Sequence, residues 1–352
     1  MIIRKKTRVI KVGNISIGGD NPISIQSMTN TKTIDIVKTV QQIKVLAITG
    51  CDIVRVAVPD MESAKAISQI KQQISIPIIA DIHFDYKLAV ASIMAGADGL
   101  RLNPGNIGST QNVLEVVAAA REKEIPIRIG VNSGSLSKEK LIKYGLSPEG
   151  IVESALEHVA ILEKANYHEM KISVKASSVP LTIESYQLLS TKVDYPLHLG
   201  VTEAGTEFTG TIKSSIGIGS LLAQGIGDTV RVSLTADPIR EVAVAKEIFK
   251  ALHIRKGLEI ISCPTCGRTD IDVISLAEKV EQALDKYADK DITIAVMGCA
   301  VNGPGEAREA DFGIAGGQKE GLLFQKGKIL RKVREEELVP QLLKLIEENV
   351  KI

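Results

Sequence analysis

The 352-residue chain has no tryptophan and only six tyrosines and five phenylalanines, so it offers few rings on which nucleobases could stack. It has no excess of one charge either: 43 Lys and Arg against 42 Asp and Glu leave +1, which excludes a surface basic throughout and built for nucleic acid. Any basic site must be local. No stretch approaches the roughly 18 apolar residues of a transmembrane helix, and MIIRKKTRVIKV carries charges where a secretory leader is apolar. The reading is of a soluble, cytoplasmic protein with no membrane partner. Four cysteines are too few to staple a chain of this length, and in a reducing compartment their thiols serve metal or redox chemistry. Nucleotide loops are missing as well. In SSIGIGSLLAQGIGDTV, Leu222 stands where G-x-G-x-x-G needs a small residue, and no P-loop occurs anywhere.

What the chain does have is a steady alternation of short β-branched runs and helical segments. Strands are expected at 23–28, 52–58, 76–82, 99–104, 125–131, 170–176, 197–203 and 228–234. Eight such βα units match a (β/α)₈ TIM-type barrel better than an open doubly wound sheet. The wide gap after the fifth strand, NSGSLSKEKLIKYGLSPEG, is a lid or an insertion. RVIKVGNISIGG predicts a hairpin turning at Gly13 and Asn14 that plugs the bottom of the barrel. After a helix at about 238–252 the pattern changes. Residues 253–352 predict a small α/β domain: strand LEIIS, helix DVISLAEKVEQALDKY, strand ITIAVMG, strand-turn-strand GLLFQKGKILRKV and a closing helix. The expected domains are therefore 1–252 and 253–352.

The second domain holds three of the four cysteines. Cys263 and Cys266 form a C-x-x-C just past one expected strand, and Cys299 follows just past another. Thiolates three apart can grip one metal centre, and the surrounding glycines and prolines permit the tight backbone this needs. Three cysteines leave a four-ligand site one short, and Glu306 is the nearest plausible fourth for an iron–sulfur cluster. A structural zinc with His253 uses the same spacing; a thioredoxin-like dithiol leaves Cys299 unexplained. Cys51, among apolar residues, reads as a small buried hydrophobe.

The expected barrel strands carry cations inside apolar runs: Arg55, Arg101, Arg128, Lys175 and Arg231. A buried unpaired charge is costly, and several together repel unless an anion sits among them, so a phosphorylated ligand is inferred. The competing explanation is internal pairing with Asp81, Asp98, Glu203 or Asp228. Polar residues gather at the same strand ends: Gln26, Ser27, Asn30, His83, Asn103, Asn132, Ser177, Thr202 and Ser233. Asn103 and Ser233, with Asn302 in the later NGPGE segment, are candidate substrate ligands. Asp81 and Glu203 are the candidate acid/base groups, with His83 a further proton carrier.

The motifs SIQSMTNT, ADIHFD, RLNPGNIG, RIGVNSGSL, SVKAS, GVTEAG, SCPTCGRT and MGCAVNGPGEA resemble those of the 4-hydroxy-3-methylbut-2-enyl diphosphate synthase family, over nearly the whole chain and in its compact two-domain bacterial form. The resemblance implies a TIM-type barrel that binds 2-C-methyl-D-erythritol 2,4-cyclodiphosphate and a C-terminal domain, similar to those of sulfite and nitrite reductases, that carries a [4Fe-4S] cluster. By it, Cys263, Cys266, Cys299 and Glu306 match the cluster ligands, and Arg55, Arg101, Arg128, Lys175 and Arg231 match the cations that hold the diphosphate. It further implies ferredoxin or flavodoxin as electron donor and a head-to-tail homodimer. The alternatives are a non-redox phosphate-binding barrel transferase with a zinc domain, and an iron–sulfur carrier without chemistry of its own.

Overall fold

The computed structural model describes residues 2–269, 271–299, 307–317 and 319–350. The chain divides into two compact units, Met1–Leu252 and His253–Ile352.

The first unit opens with the hairpin β1 (Ile10–Val12) and β2 (Ile15–Ile17). Its apolar face, Ile10, Val12 and Ile17, packs against Ile53 and Ile79 inside the N-terminal ends of the barrel strands, so the hairpin is the expected plug. The segment before it is tied down by Asp228, which accepts hydrogen bonds from Arg4 and Thr7.

Eight parallel strands follow: β3 (Ser24–Met28), β4 (Ile53–Ala57), β5 (Ile78–Asp81), β6 (Gly99–Arg101), β7 (Ile127–Asn132), β8 (Met170–Lys175), β9 (His198–Leu199) and β10 (Thr229–Val230). They run in the order β8-β7-β6-β5-β4-β3-β10-β9, and a parallel bridge between Ile172 and Leu197 joins the two ends of the row into a barrel. Seven lie within the segments that periodicity predicts, and β7 runs one residue beyond its segment, to Asn132. The last two are shorter than expected. Beyond Leu199 the chain leaves the ladder, and the Thr202 amide bonds to Ala176 O.

Around the barrel stand α1 (Ile36–Ile48), α2 (Met61–Lys71), α3 (Tyr86–Met94), α4 (Thr110–Glu122), α5 (Lys138–Tyr144), α6 (Pro148–Lys164), α7 (Val179–Lys192), α8 (Glu207–Ala223) and α9 (Pro238–Ala251). Many start at a side chain that accepts an amide hydrogen of the first turn: Asp60 for α2, Ser109 for α4, Ser178 for α7 and Asp237 for α9. The glycine-rich stretch forms α8 and the loop after it, as its failure to match a nucleotide motif implies. The wide gap after β7 holds the short α5, none of whose residues is buried.

The second unit is a five-stranded sheet in the order β11 (Glu259–Ser262), β12 (Thr293–Met297), β13 (Phe312–Ala315), β14 (Glu320–Gln325), β15 (Lys328–Arg334). The first three strands are parallel and the last two antiparallel. Alternation along β12 sends Ile294 and Val296 to one face, where α10 (Val273–Ala283) and α11 (Leu338–Asn349) cover them, and Ala295 and Met297 to the other. Strand β13 was not expected. Its sequence FGIA is short, and Gly313 is there because the Phe324 ring of β14 lies across it, 2.2 Å from where a Cβ would stand. No described helix is long and apolar enough to cross a membrane.

Candidate active site

Side chains alternate along each barrel strand, so the inward set is fixed by parity. Arg55 on β4, Asp81 on β5, Arg101 on β6, Arg128 and Asn132 on β7 and Lys175 on β8 line one cavity of about 180 Å³, with His83, Thr202, Arg231 and Ser233 from the loops beyond their strands. All five predicted cations converge there. Two inward glycines leave room for them. A Cβ on Gly130 would stand 3.1 Å from the Arg128 guanidinium, and one on Gly200 would stand 2.6 Å from Lys175 Nζ.

Two carboxylates face the five cations. Asp81 lies 3.3 Å from Arg101 and 3.8 Å from Arg55, with His83 at 3.7 Å. Burial alone would raise its pKa, but Arg55, the His83 hydrogen bond, Arg101 and Arg128 together hold it well below the usual carboxylate range. Asp81 is thus an ionised counter-charge and carries no proton to donate at neutral pH. The second carboxylate, Glu241 of α9, lies 3.6 Å from Arg231 and accepts hydrogen bonds from Ser27 Oγ and the Leu234 amide. Sequence reading missed it, because an acidic residue in the first turn of a helix is ordinarily a solvated partner of the helix dipole. The other proposed counter-ions are elsewhere. Asp98 pairs with Lys71 and Asp228 with Arg4, both at the N-terminal ends of the strands.

The cations therefore remain under-compensated. Arg55 donates to the sulfur of Met28 at 3.1–3.2 Å, a soft acceptor, and burial lowers its pKa to about 10 against the pull of Asp81. Burial and the neighbouring Arg55 and Arg101 push Arg128 down; its Nη1 donates to Ser173 Oγ at 2.5 Å. A guanidinium keeps its proton at neutral pH even so, and the unfavourable charge density becomes affinity for an anion. Lys175 is likewise driven well down by burial and then by Arg128, Arg231, Arg55 and Arg101.

Several predicted site residues take other roles. Asn103 is buried, and its amide donates to Gly130 O and accepts from Gly130 N, both at 2.9 Å, which ties the chain after β6 to β7 and leaves one N–H and one oxygen lone pair of the side chain unused. Glu203 is exposed on the loop after β9, in the left-handed backbone region at φ 52°, and does not line the cavity. Ser27 points outward to Glu241, and Asn30 pairs with Gln42 of α1. Cys51 is buried with its thiol pushed up to about 12 by desolvation, as its apolar setting implies.

In the second unit, Cys263 follows β11 directly and Cys299 lies two residues past β12, its parallel neighbour. The Gly298 amide donates to Cys263 Sγ at 3.0 Å. Hydrogen bonds from the Arg268 backbone, the Arg268 side chain and Thr269 lower the exposed Cys266 thiol toward its thiolate. None of the three is in a disulfide. Free thiols at neighbouring strand ends, with amide donors to sulfur, fit a thiolate-held metal cluster. No three described His, Cys, Asp or Glu residues come together as an ion site by themselves. Glu306 and Asn302, expected to contribute, lie outside the described residues.

Residues 7–246 match the GcpE TIM-barrel domain and residues 259–348 the GcpE protein C-terminal domain. The chain is 62% identical over 351 residues to a protein of Caldanaerobacter subterraneus subsp. tengcongensis named 4-hydroxy-3-methylbut-2-en-1-yl diphosphate synthase (flavodoxin), covering 99% of each chain. Identity is 60% over 347 residues to a protein of the same name from Geobacter sulfurreducens, covering 98% of each. Among solved structures, the dihydropteroate synthase of Xanthomonas albilineans with 7,8-dihydropteroate aligns with TM-score 0.50 and 13% identity over 70% of this chain and 98% of that one, a likeness of fold alone. A family match through both units leaves the non-redox transferase with a zinc domain without support. This chain belongs to the GcpE family.

Proposed function

We propose that the protein converts 2-C-methyl-D-erythritol 2,4-cyclodiphosphate to 4-hydroxy-3-methylbut-2-enyl diphosphate, opening the ring and losing one hydroxyl as water with two electrons from flavodoxin. The relatives carry that product and that donor in their names. The observation that carries the reading is the cavity, where among the described residues five cations face only Asp81 and Glu241, an imbalance that a doubly phosphorylated ligand would offset.

Arg55, Arg101, Arg128, Lys175 and Arg231 would grip the diphosphate; Ser233, Asn132 and Thr202 offer hydrogen bonds to its oxygens. Asp81 keeps Arg55 and Arg101 aimed and stays ionised while the substrate enters. Glu203, exposed next to the cavity-lining Thr202, is the candidate proton donor to the departing hydroxyl. Cys263, Cys266, Cys299 and Glu306 would hold a [4Fe-4S] cluster, which when bound supplies one-electron chemistry that no protein side chain here can perform. The reading includes a cytoplasmic, head-to-tail homodimer in which each barrel serves the partner's cysteine unit.

Anaerobically purified protein is expected to hold about four irons and four sulfides per chain and to turn over the cyclic diphosphate with reduced flavodoxin. Arg128→Met is expected to lose substrate binding while keeping its iron. One zinc and no sulfide per chain, or unchanged turnover in Arg128→Met, would overturn the proposal.

A further inference from the structure

Beneath the cavity the barrel has a second polar layer that the reaction does not use. Lys171 on β8 is 1% exposed, and its Nζ has no hydrogen-bond partner. It points inward by the same parity as Ser173 and Lys175, and it stands in register with Arg128, itself in register with Arg101. His198 on β9 is fully buried; its Nδ1 contacts Thr229 Oγ1 at 2.7 Å, and its Nε2 has no partner. Both polar atoms of the Gln26 side chain on β3 are likewise buried and unpartnered. Such atoms are places for ordered water, which would give this layer a route for protons.

The charges facing Lys171 are nearly all of its own sign. Arg128 comes from β7 and Arg55 from β4, with Lys175 further along β8 and the His198 imidazole, its basicity strongly lowered by burial, beside it on β9; among the described residues the acid that acts on it, Asp228, is at the barrel floor and already bonded to Arg4, Thr7 and the Leu197 amide. Among the described residues an ammonium here has no hydrogen-bonded counter-ion. Burial, then Arg128 and Arg55, lower its pKa to about 7.

We propose that Lys171 is a buried positioning residue for the diphosphate: it takes up a proton when the anion occupies the cavity above Arg128 and releases it when the anion leaves. This deepens the cavity reading given above and rests on it. The arriving negative charge is what makes an ammonium tolerable beside Arg128. Once protonated, Lys171 holds the arginine up against the ligand instead of letting it sink into the barrel. The neutral amine, conversely, lowers the repulsion that the empty site must bear.

The test is calorimetric titration of inorganic pyrophosphate into the purified full chain at pH 8.0, in two buffers of different ionisation enthalpy. Wild type is expected to take up more protons per site than Lys171→Met, with Lys175 contributing equally to both. Thermal unfolding of the unliganded proteins guards against a merely misfolded variant. The unfolded chain binds the Lys171 proton more tightly than the folded one, so the Lys171→Met gain in Tm is expected to be larger at pH 6 than at pH 10. Equal proton uptake in the two proteins, or a Tm difference independent of pH, would overturn the role of Lys171 alone. Failure of wild type to bind pyrophosphate at all would overturn the cavity reading and this inference with it.

Discussion

The two units build their chemistry in opposite ways. In the barrel, the cavity draws one or two side chains from each of several strands, separated in sequence by Arg55 at one extreme and Ser233 at the other. In the second unit the functional groups are packed into two short segments at the ends of neighbouring strands, and C-x-x-C alone places two sulfurs together. A distributed site is legible only through the fold that gathers it. A local one is legible as a motif, yet its spacing alone leaves both zinc and iron open. The barrel in turn carries an electrostatic imbalance that no motif records.

Separate construction implies separable failure, and the sharpest break comes from the cysteines. Cys266→Ser is expected to lower turnover by a factor on the order of 1,000 or more, whereas pyrophosphate affinity, measured by calorimetry, stays within about twofold because the barrel cations are untouched. A parallel loss of affinity would show that the two units do not work independently. Next in size is Asp81→Asn, which strips Arg55 and Arg101 of their counter-charge. Breaking a buried pair in this way is expected to destabilise the empty protein by about 3 kcal/mol at pH 7, seen by denaturant unfolding.

The sign of its pH dependence follows from linkage. The folded-state pKa of Asp81 is depressed, so the unfolded chain binds its proton more readily, and the stabilisation is complete above roughly pH 4 and is lost as pH falls below it. The advantage of wild type over Asp81→Asn should therefore shrink on acidification and be partly replaced at pH 7 by saturating pyrophosphate. A constant difference from pH 7 to pH 3 would remove Asp81 from its role as counter-ion. The smallest of the three is Gly200→Ala. Its Cβ would lie 2.5 Å from the Arg231 backbone carbonyl oxygen and 2.6 Å from Lys175 Nζ, so the backbone that carries Arg231 and the lysine ammonium would both have to shift. Such displacement is expected to reduce kcat/KM about 100-fold with iron content unchanged; an unaffected kcat/KM would mean that the floor of the cavity is softer than its contacts imply.

Much of this architecture was readable in advance. Eight β-branched runs spaced by amphipathic helices, the plug hairpin, the unit boundary after α9 and the five strand cations all follow from periodicity and from the cost of burying charge. Strand β13 escaped because FGIA is too short and too glycine-rich to signal; it is a strand only because β12 and β14 pair with it on either side. Glu241 escaped because helix-start acids are common, and nothing local says that this one faces into the barrel wall. Lys171 was within reach, since it shares parity with Lys175 four residues on, but inwardness alone does not distinguish a ligand-binding lysine from one sealed a layer below. Asn103 was legible as a polar strand-end residue like Asn132, but its hydrogen bonds to Gly130 across to β7 were not.

Local chemistry thus wrote the element types, the inward parity of each strand and the thiol pairing in C-x-x-C, because propensity, side-chain alternation and short-range spacing act within a few residues. Which charges end up facing one another was settled by barrel closure. Register and stagger between strands set which cation meets Asp81, which meets Glu241 and which, like Lys171, has no hydrogen-bond partner among the described residues. Coulomb energies in a buried site depend on distances of a few ångströms across chain separations of many tens of residues, and only the folded barrel supplies those distances.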